Sequence, residues 1–309
     1  MSPIRNILVV GAGELGTQIL LSLAQRPALS SETSISISVL LRPPSITSPS
    51  PSKAAELENL KANNITLVPC DISTSSQSTL SSLFSAYDTV ISATGFSAGR
   101  GTQLKLAKAV LDAGVPRYIP WQFGVDYDVI GRGSAQDLFD EQLDVREVLR
   151  SQDSTKWTII STGMFTSFLF EKAFGVVDAE KGAVTALGSW ENRVTVTAPV
   201  DIGRVTAEVA LAETFGDADG IVYVAGDTVS YGRLAEIVEG VAGRAFERRV
   251  RTVEDAGRDL SREPENGLFK YHVVFGEGRG VAWDVEETWN AKRGMRLQTA
   301  EEWARENLV

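Results

Sequence analysis

The 309-residue sequence predicts an α/β fold, a parallel sheet doubly wound by helices with a smaller α+β domain attached, and three observations predict it. Short apolar runs alternate with stretches of helical periodicity through the first half of the chain. The first run ends in a glycine-rich turn. The composition, 43% hydrophobic and 23% charged, supplies enough apolar surface for a sizeable core. Strands separated by helices need crossover connections, and these produce parallel pairing.

The elements follow in order. Residues 7–10 (ILVV) predict the first strand, and Leu15, Ile19, Leu20 and Leu23 behind it recur at helical spacing. The second strand is 35–41, entered through the polar segment 30–34. The third is 65–68, the fourth 89–93, the fifth is centred on 118–119, and the sixth is 157–161. A helix over 103–113 closes at Gly114, as a C-cap glycine would close it. Another covers 135–150. Segment 43–52 (PPSITSPSPS) is so rich in Pro and Ser that it reads as a mobile loop. Beyond residue 162 the pattern loosens: 164–175 is apolar and aromatic, 192–199 reads as a strand, and 202–214, 234–241 and 301–308 read as helices. The expected division is a dinucleotide-binding domain over 1–162 and a substrate domain over 163–309, with about 196–212 returning to the first.

Charge and cysteine content exclude several classes. A net charge of −10 argues against an electrostatic grip on nucleic acid or an anionic membrane. The single cysteine, Cys70, permits no intrachain disulfide and fits a reducing compartment. No apolar stretch approaches the ~20 residues of a membrane span. The first residues run into a strand without the apolar region of a signal peptide, so the expectation is cytoplasmic. Walker lysine and Cys/His metal motifs are absent from the sequence, and no metal is expected.

Gly11, Gly13 and Gly16 form G-x-G-x-x-G between a strand and a helix, the Rossmann fingerprint. The first allows a tight turn, the second a close approach of backbone to a pyrophosphate, the third helix-to-strand packing. The pyrophosphate rests on free N–H groups at the helix N-terminus, where Glu14 and Leu15 belong to the same turn. The second strand ends Leu40-Leu41-Arg42-Pro43, without the carboxylate that bonds the ribose of NAD. Arg42 suits a 2′-phosphate, and Lys53 adds a second charge, so NADPH/NADP is the expected cofactor. The alternative is that Arg42 is a solvated strand-end residue. Arg42 lies 29 positions beyond Gly13, a longer interval than the usual ~20, and the extra residues are assigned to 30–34. Asp71 and Ile72 follow the third strand near the expected adenine; Asp71 either accepts from the adenine amino group or caps a helix. Ala93, Thr94 and Gly95 end the fourth strand as small residues beside the cofactor. Gln122 and Gly163 complete the expected contacts.

The runs VVGAGELG, VISATGFSAGRGTQLKLAKAVLDAGVPRYIPWQFGVD and STGMF resemble the NmrA-like, isoflavone reductase-like group of atypical short-chain dehydrogenases, which includes phenylcoumaran benzylic ether reductases. RYIPWQFG is similar to the family's R-F-x-P-S-E-F-G; DIGR (201–204) and HVVFGEG (272–278) extend the likeness toward the C-terminus. The resemblance implies a Rossmann domain, a small substrate domain, NADPH, and reduction of small, often aromatic molecules. It also exposes departures. The family's lysine, on the helix after the fifth strand, matches Gln142, and no lysine occurs between Lys108 and Lys156. The tyrosine of typical short-chain dehydrogenases would fall on Leu138, and the serine after the fifth strand is replaced by Trp121.

Candidates for proton transfer are therefore His272, Tyr127 and Gln142. His272, the single histidine, matches a family histidine and is either the donor or a structural residue. Tyr127, beside Asp126 on the loop after the fifth strand, either donates to a carbonyl or packs on that loop. Gln142 orients a ligand without relaying a proton. Trp121, Met164, Phe165 and Phe168 either line an apolar substrate pocket or pack in the core. Three functions remain open: an NADPH-dependent reductase of a small aromatic or secondary-metabolite substrate, a non-catalytic NADP(H)-sensing regulator, and a redox-neutral isomerase or dehydratase.

Overall fold

The computed structural model describes residues 6–25, 35–212 and 220–308; segment 30–34, and the last two residues of the helix expected over 202–214, lie outside them. The chain divides into two compact units. The first takes the described residues up to Gln122 with Asp144–Ile160 and Ile202–Val222; the second takes Phe123–Leu143, Ser161–Asp201 and Tyr223 onward.

In the first unit, β1 (Asn6–Val10), β2 (Ser36–Leu41), β3 (Ile65–Pro69), β4 (Thr89–Ser92), β5 (Arg117–Ile119) and β6 (Lys156–Ser161) form a sheet in the order β6-β5-β4-β1-β2-β3. Every pair in that run is parallel, with Ile7 facing Ile37 on one side and Thr89 on the other. Continuous apolar strands such as ILVV are what a sheet covered on both faces requires, and Ile7, Leu8, Val9 and Val10 are fully buried. Order reverses between β1 and β4, the switch point at which such sheets bind ligands. The helix Glu14–Ala24 buries Leu15, Ile19, Leu20 and Leu23, the residues that its periodicity singles out.

Segment 43–52 is a correction to the sequence expectation. It forms a short helix, Pro43–Thr47, and the start of a longer one, Pro51–Ala62. Proline at the first helical position costs no hydrogen bond, and the Ser50 hydroxyl accepts from the Lys53 N–H at 3.3 Å as an N-cap. The same residues that signal a loop by composition signal helix starts by position. Leu57 and Leu60 then anchor the second helix in the core.

The DIGR run opens onto the return of the chain to the first unit. Within the helix Pro199–Leu211, Gly203 approaches the backbone of Gln18 so closely that a Cβ would sit 2.6 Å from it. The buried Arg117 guanidinium donates to the carbonyls of Ala210 (3.5 Å) and Ala212 (3.1 Å), satisfying the orphan acceptors at that helix's C-terminus.

The second unit carries two small sheets. In one, β7 (Met164–Phe165) pairs in parallel with β10 (Arg193–Thr197), which pairs antiparallel with β12 (Asp227–Ser230); in the other, β8 (Val177–Asp178), β9 (Ala183–Leu187) and β13 (Glu247–Arg251) lie in that order. Back in the first unit, β11 (Gly220–Tyr223) lies beside β6 as the edge strand of the large sheet. Helices expected over 234–241 and 301–308 run as Tyr231–Ala242 and Ala300–Asn307. HVVFGEG lies mostly within the helix Gly267–Glu277, capped by Asn266. Among the described residues no helix is long and apolar enough to cross a membrane.

Candidate cofactor site

The glycine turn bends at Gly11, whose φ of +100° is a conformation that side chains disfavour. Its N–H is tied to Leu40 O at 3.1 Å. A Cβ on Gly11 would meet Thr94 Oγ1 at 2.6 Å, and one on Gly16 would meet Gly11 O at 2.3 Å, so the helix rides directly on the turn. Gly13 differs: nothing lies within 4 Å of its missing Cβ. It is the N-cap of the helix Glu14–Ala24 and brings no side chain to cap the first turn of that helix, the place at which such folds receive an anion.

These residues border a cavity of about 650 Å³. Of the sequence-predicted contacts, Gly11, Gly13, Arg42, Lys53, Asp71, Ile72, Ala93, Thr94 and Gly95 line it. Arg42 is exposed, and among the described residues its guanidinium makes no hydrogen bond or ion pair. Lys53 is already engaged: its Nζ donates to Ala12 O at 2.8 Å and pairs with Glu56 at 2.7 Å, while Thr17 also bonds Glu56. The helix Pro51–Ala62 is thus strapped to the glycine turn. Asp71 accepts from the Ser73 N–H at 2.9 Å and hydroxyl at 2.6 Å, an Asx-type turn. Those bonds hold its carboxyl below the usual carboxylate range, with Arg42 adding to the effect.

Other expected contacts sit elsewhere. Leu15 is in the core, Gly16 serves helix packing, and Glu14 is exposed at the first helical position. Gln122 is fully buried and accepts from the Arg146 Nε at 2.7 Å. Gly163, with φ +70°, lies against β10, where a Cβ would meet Thr195 O at 2.1 Å. Ser45, Ser73 and Ala98 line the cavity without having been singled out; Cys70 also lines it, with its Sγ 3.3 Å from Ser75 Oγ. Reading Pro43-Pro44 as a helix start would have found Ser45. Gln103 was also missed: it is buried and donates to Thr94 O at 2.8 Å, bracing the end of β4. The indole of Trp121 lies across Gly95, 3.1 Å from where a Cβ would be.

In the second unit the candidate donors are differently placed. His272 is buried; its Nε2 pairs with Phe174 O at 2.8 Å and its Nδ1 with Arg251 at 3.2 Å. Burial holds its imidazole below the ordinary 6.5. Tyr127 is also buried. Its ring meets Phe139 edge-on at 4.9 Å, and its hydroxyl fills the space left by Gly124. Asp126 caps Val129 and accepts from the Tyr223 hydroxyl at 2.6 Å. Gln142 is buried on the helix Leu138–Arg150. Met164 is buried in β7, Phe165 is half-buried, and Phe168 stacks on Phe174 at 4.5 Å.

A parallel sheet with a glycine turn leading into a helix at its switch point defines a Rossmann fold. The chain belongs to the NmrA-like family, whose model matches residues 4–304. It is 47% identical over 306 residues to an NmrA-like family domain-containing oxidoreductase of Gibberella moniliformis (strain M3125 / FGSC 7600), covering 98% of this chain and 99% of that one. It is 24% identical over 300 residues to the phenylcoumaran benzylic ether reductase IRL1 of Ginkgo biloba, covering 94% and 93%. The fold is also that of leucoanthocyanidin reductase from Vitis vinifera, solved as a binary complex with NADPH: TM-score 0.80, 20% identity, 98% and 99% covered.

Proposed function

We propose that this chain is an NADPH-dependent oxidoreductase that reduces a small aromatic molecule. The observation that carries the proposal is the cavity of the first unit, where an uncapped helix N-terminus stands in one cavity with an unpaired guanidinium. Gly11 and Gly13 admit the pyrophosphate, Arg42 takes the 2′-phosphate, and β2 ends without a carboxylate to favour NAD. Ala93–Gly95 provide a small-residue wall and Ile72 an apolar one. When bound, NADPH supplies hydride; the protein's part is to hold it and exclude competing water. The relatives support the chemistry: one is named an oxidoreductase, another a benzylic ether reductase, and the leucoanthocyanidin reductase binds NADPH. In this reading His272 serves the scaffold, since both its ring nitrogens are committed within the second unit, and the buried Tyr127 and Gln142 take no direct part in binding the substrate.

The test is a titration of the purified chain with NADPH and NADH, followed by a screen of aryl carbonyl and benzylic ether compounds for loss of NADPH absorbance. Binding of NADPH at least tenfold tighter than NADH, with turnover, is the expected result. Failure of both nucleotides to bind would sink the reading. Binding that separates NADP+ from NADPH without turnover would favour a sensor, and product formed without absorbance change a redox-neutral enzyme.

A further inference from the structure

The second unit contains a continuous set of aromatic rings, and its polar groups differ in how they are used. Phe139, Phe168 and Phe275 all meet the ring of Tyr271, with centroids at 5.9, 6.2 and 6.3 Å. Tyr271 is the neighbour of His272 on the helix Gly267–Glu277, but successive helical residues point about 100° apart. His272 turns toward Phe174 and Arg251, and both its ring nitrogens are occupied there. Asp126 is likewise closed on its own surroundings, and the Tyr127 ring is buried against Phe139. The Tyr271 hydroxyl is the exception. Among the described residues it bonds to no protein group, and its oxygen is not one of the sealed unpaired atoms, so it keeps contact with open space. Phe168 is half-buried beside it.

We infer that Tyr271 presents its hydroxyl to an oxygen of an aromatic ligand whose ring rests against the half-buried Phe168. The rings supply apolar contact area with defined geometry, and the phenol supplies the polar handle. Enclosure by those rings pushes the phenol up to about 12, so near neutrality it is a donor and never a base. Phe139 lies three residues before Gln142 on its helix, a spacing that puts both on neighbouring positions of one face. The sequence resemblance directs attention to His272; the packing directs it one residue earlier. This deepens the reductase reading and rests on it for the reaction, whereas binding is tested separately.

The experiment compares acetophenone with ethylbenzene, which has an aryl ring but no oxygen, as probes of the full chain by saturation-transfer NMR. Tyr271→Phe removes only the oxygen. It should weaken acetophenone roughly three- to tenfold, the scale of one hydrogen bond, and leave ethylbenzene unchanged. Phe168→Ala should weaken both alike. Equal loss of the two probes in Tyr271→Phe, no loss of either, or no acetophenone binding by the unaltered chain would each overturn the inference. A second readout needs no substitution: in chain carrying ring-labelled tyrosine, the Tyr271 Cζ resonance should move on adding acetophenone and not on adding ethylbenzene. A Cζ that responds to both or to neither overturns it as well. NADPH titrated in parallel separates the two readings. Loss of nucleotide binding sinks the reductase and leaves the probe comparison standing.

Discussion

The two units treat their polar groups in opposite ways. Around the cavity of the first, the N-cap residue Gly13 caps nothing and the Arg42 guanidinium pairs with nothing among the described residues. In the second, His272, Asp126 and Lys270 each close on a partner from their own unit, Lys270 by an ion pair with Asp137 at 2.8 Å. Residue type alone favours the second unit as the place for chemistry, because it holds the histidine and most of the tyrosines. Unmet bonding capacity favours the first. A buried polar group that is satisfied contributes to structure, and one left open in a cavity is available to a ligand.

The largest effect expected from breaking this contrast is at the glycine turn. Gly11→Ala combines a disfavoured φ with a collision against Thr94, and Gly16→Ala pushes a methyl into the Gly11 carbonyl. Each should lower stability by roughly 1–3 kcal/mol and reduce NADPH affinity below detection in a fluorescence titration. Gly13→Ala sharpens the point, because nothing surrounds the added methyl. Its melting temperature should stay within a few degrees of the unaltered chain while NADPH binding is lost. If Gly13→Ala binds NADPH normally, the backbone there is not the pyrophosphate contact.

Next in size is Arg42→Ala. Loss of a charge-assisted hydrogen bond to a phosphate costs about 1.5–3 kcal/mol, roughly ten- to a hundredfold in Kd. NADPH should weaken by that factor and NADH should not change. Lys53→Ala tests a different role. Its amine holds Ala12 O and Glu56, so both nucleotides should weaken together as the strap to the glycine turn is released. A selective loss of NADPH in Lys53→Ala would instead make it a second 2′-phosphate ligand.

The first unit was legible in the sequence because its signals are local. A strand, a turn with three glycines and a helix occupy one short run, and each residue's part follows from backbone geometry. The strap was not legible as a helix: Pro and Ser mark both loops and helix starts, and only the position of Ser50 relative to Pro51 and Lys53 separates the two. The second unit was legible as a family resemblance and little further. Whether a lone histidine is open or closed depends on Phe174 and Arg251, distant in sequence, and no spacing rule brings them together. The same holds for Tyr271, whose neighbours Phe139 and Phe168 come from two other helices.

The smallest effect concerns His272, and it is read from pH. Burial places the folded imidazole below its ordinary 6.5, so the unfolded chain takes up a proton first as pH falls. The stabilisation from keeping His272 neutral is therefore complete above about 6.5 and is lost as pH drops toward the folded value. It is the single histidine, and ordinary carboxylates titrate below this window, so the slope of stability between about pH 7 and 5 reports on it. The unaltered chain should lose melting temperature across that range. His272→Leu should be less stable at pH 7.5 by about 1–3 kcal/mol, since the Phe174 carbonyl loses its partner, and should show a flatter profile. NADPH affinity should be unchanged. If the slope persists in His272→Leu, the histidine is not the buried neutral group of the second unit. If NADPH consumption disappears while stability and pH profile stay as they were, His272 belongs to the chemistry after all, and the contrast between the open Arg42 of the first unit and the closed His272 of the second fails.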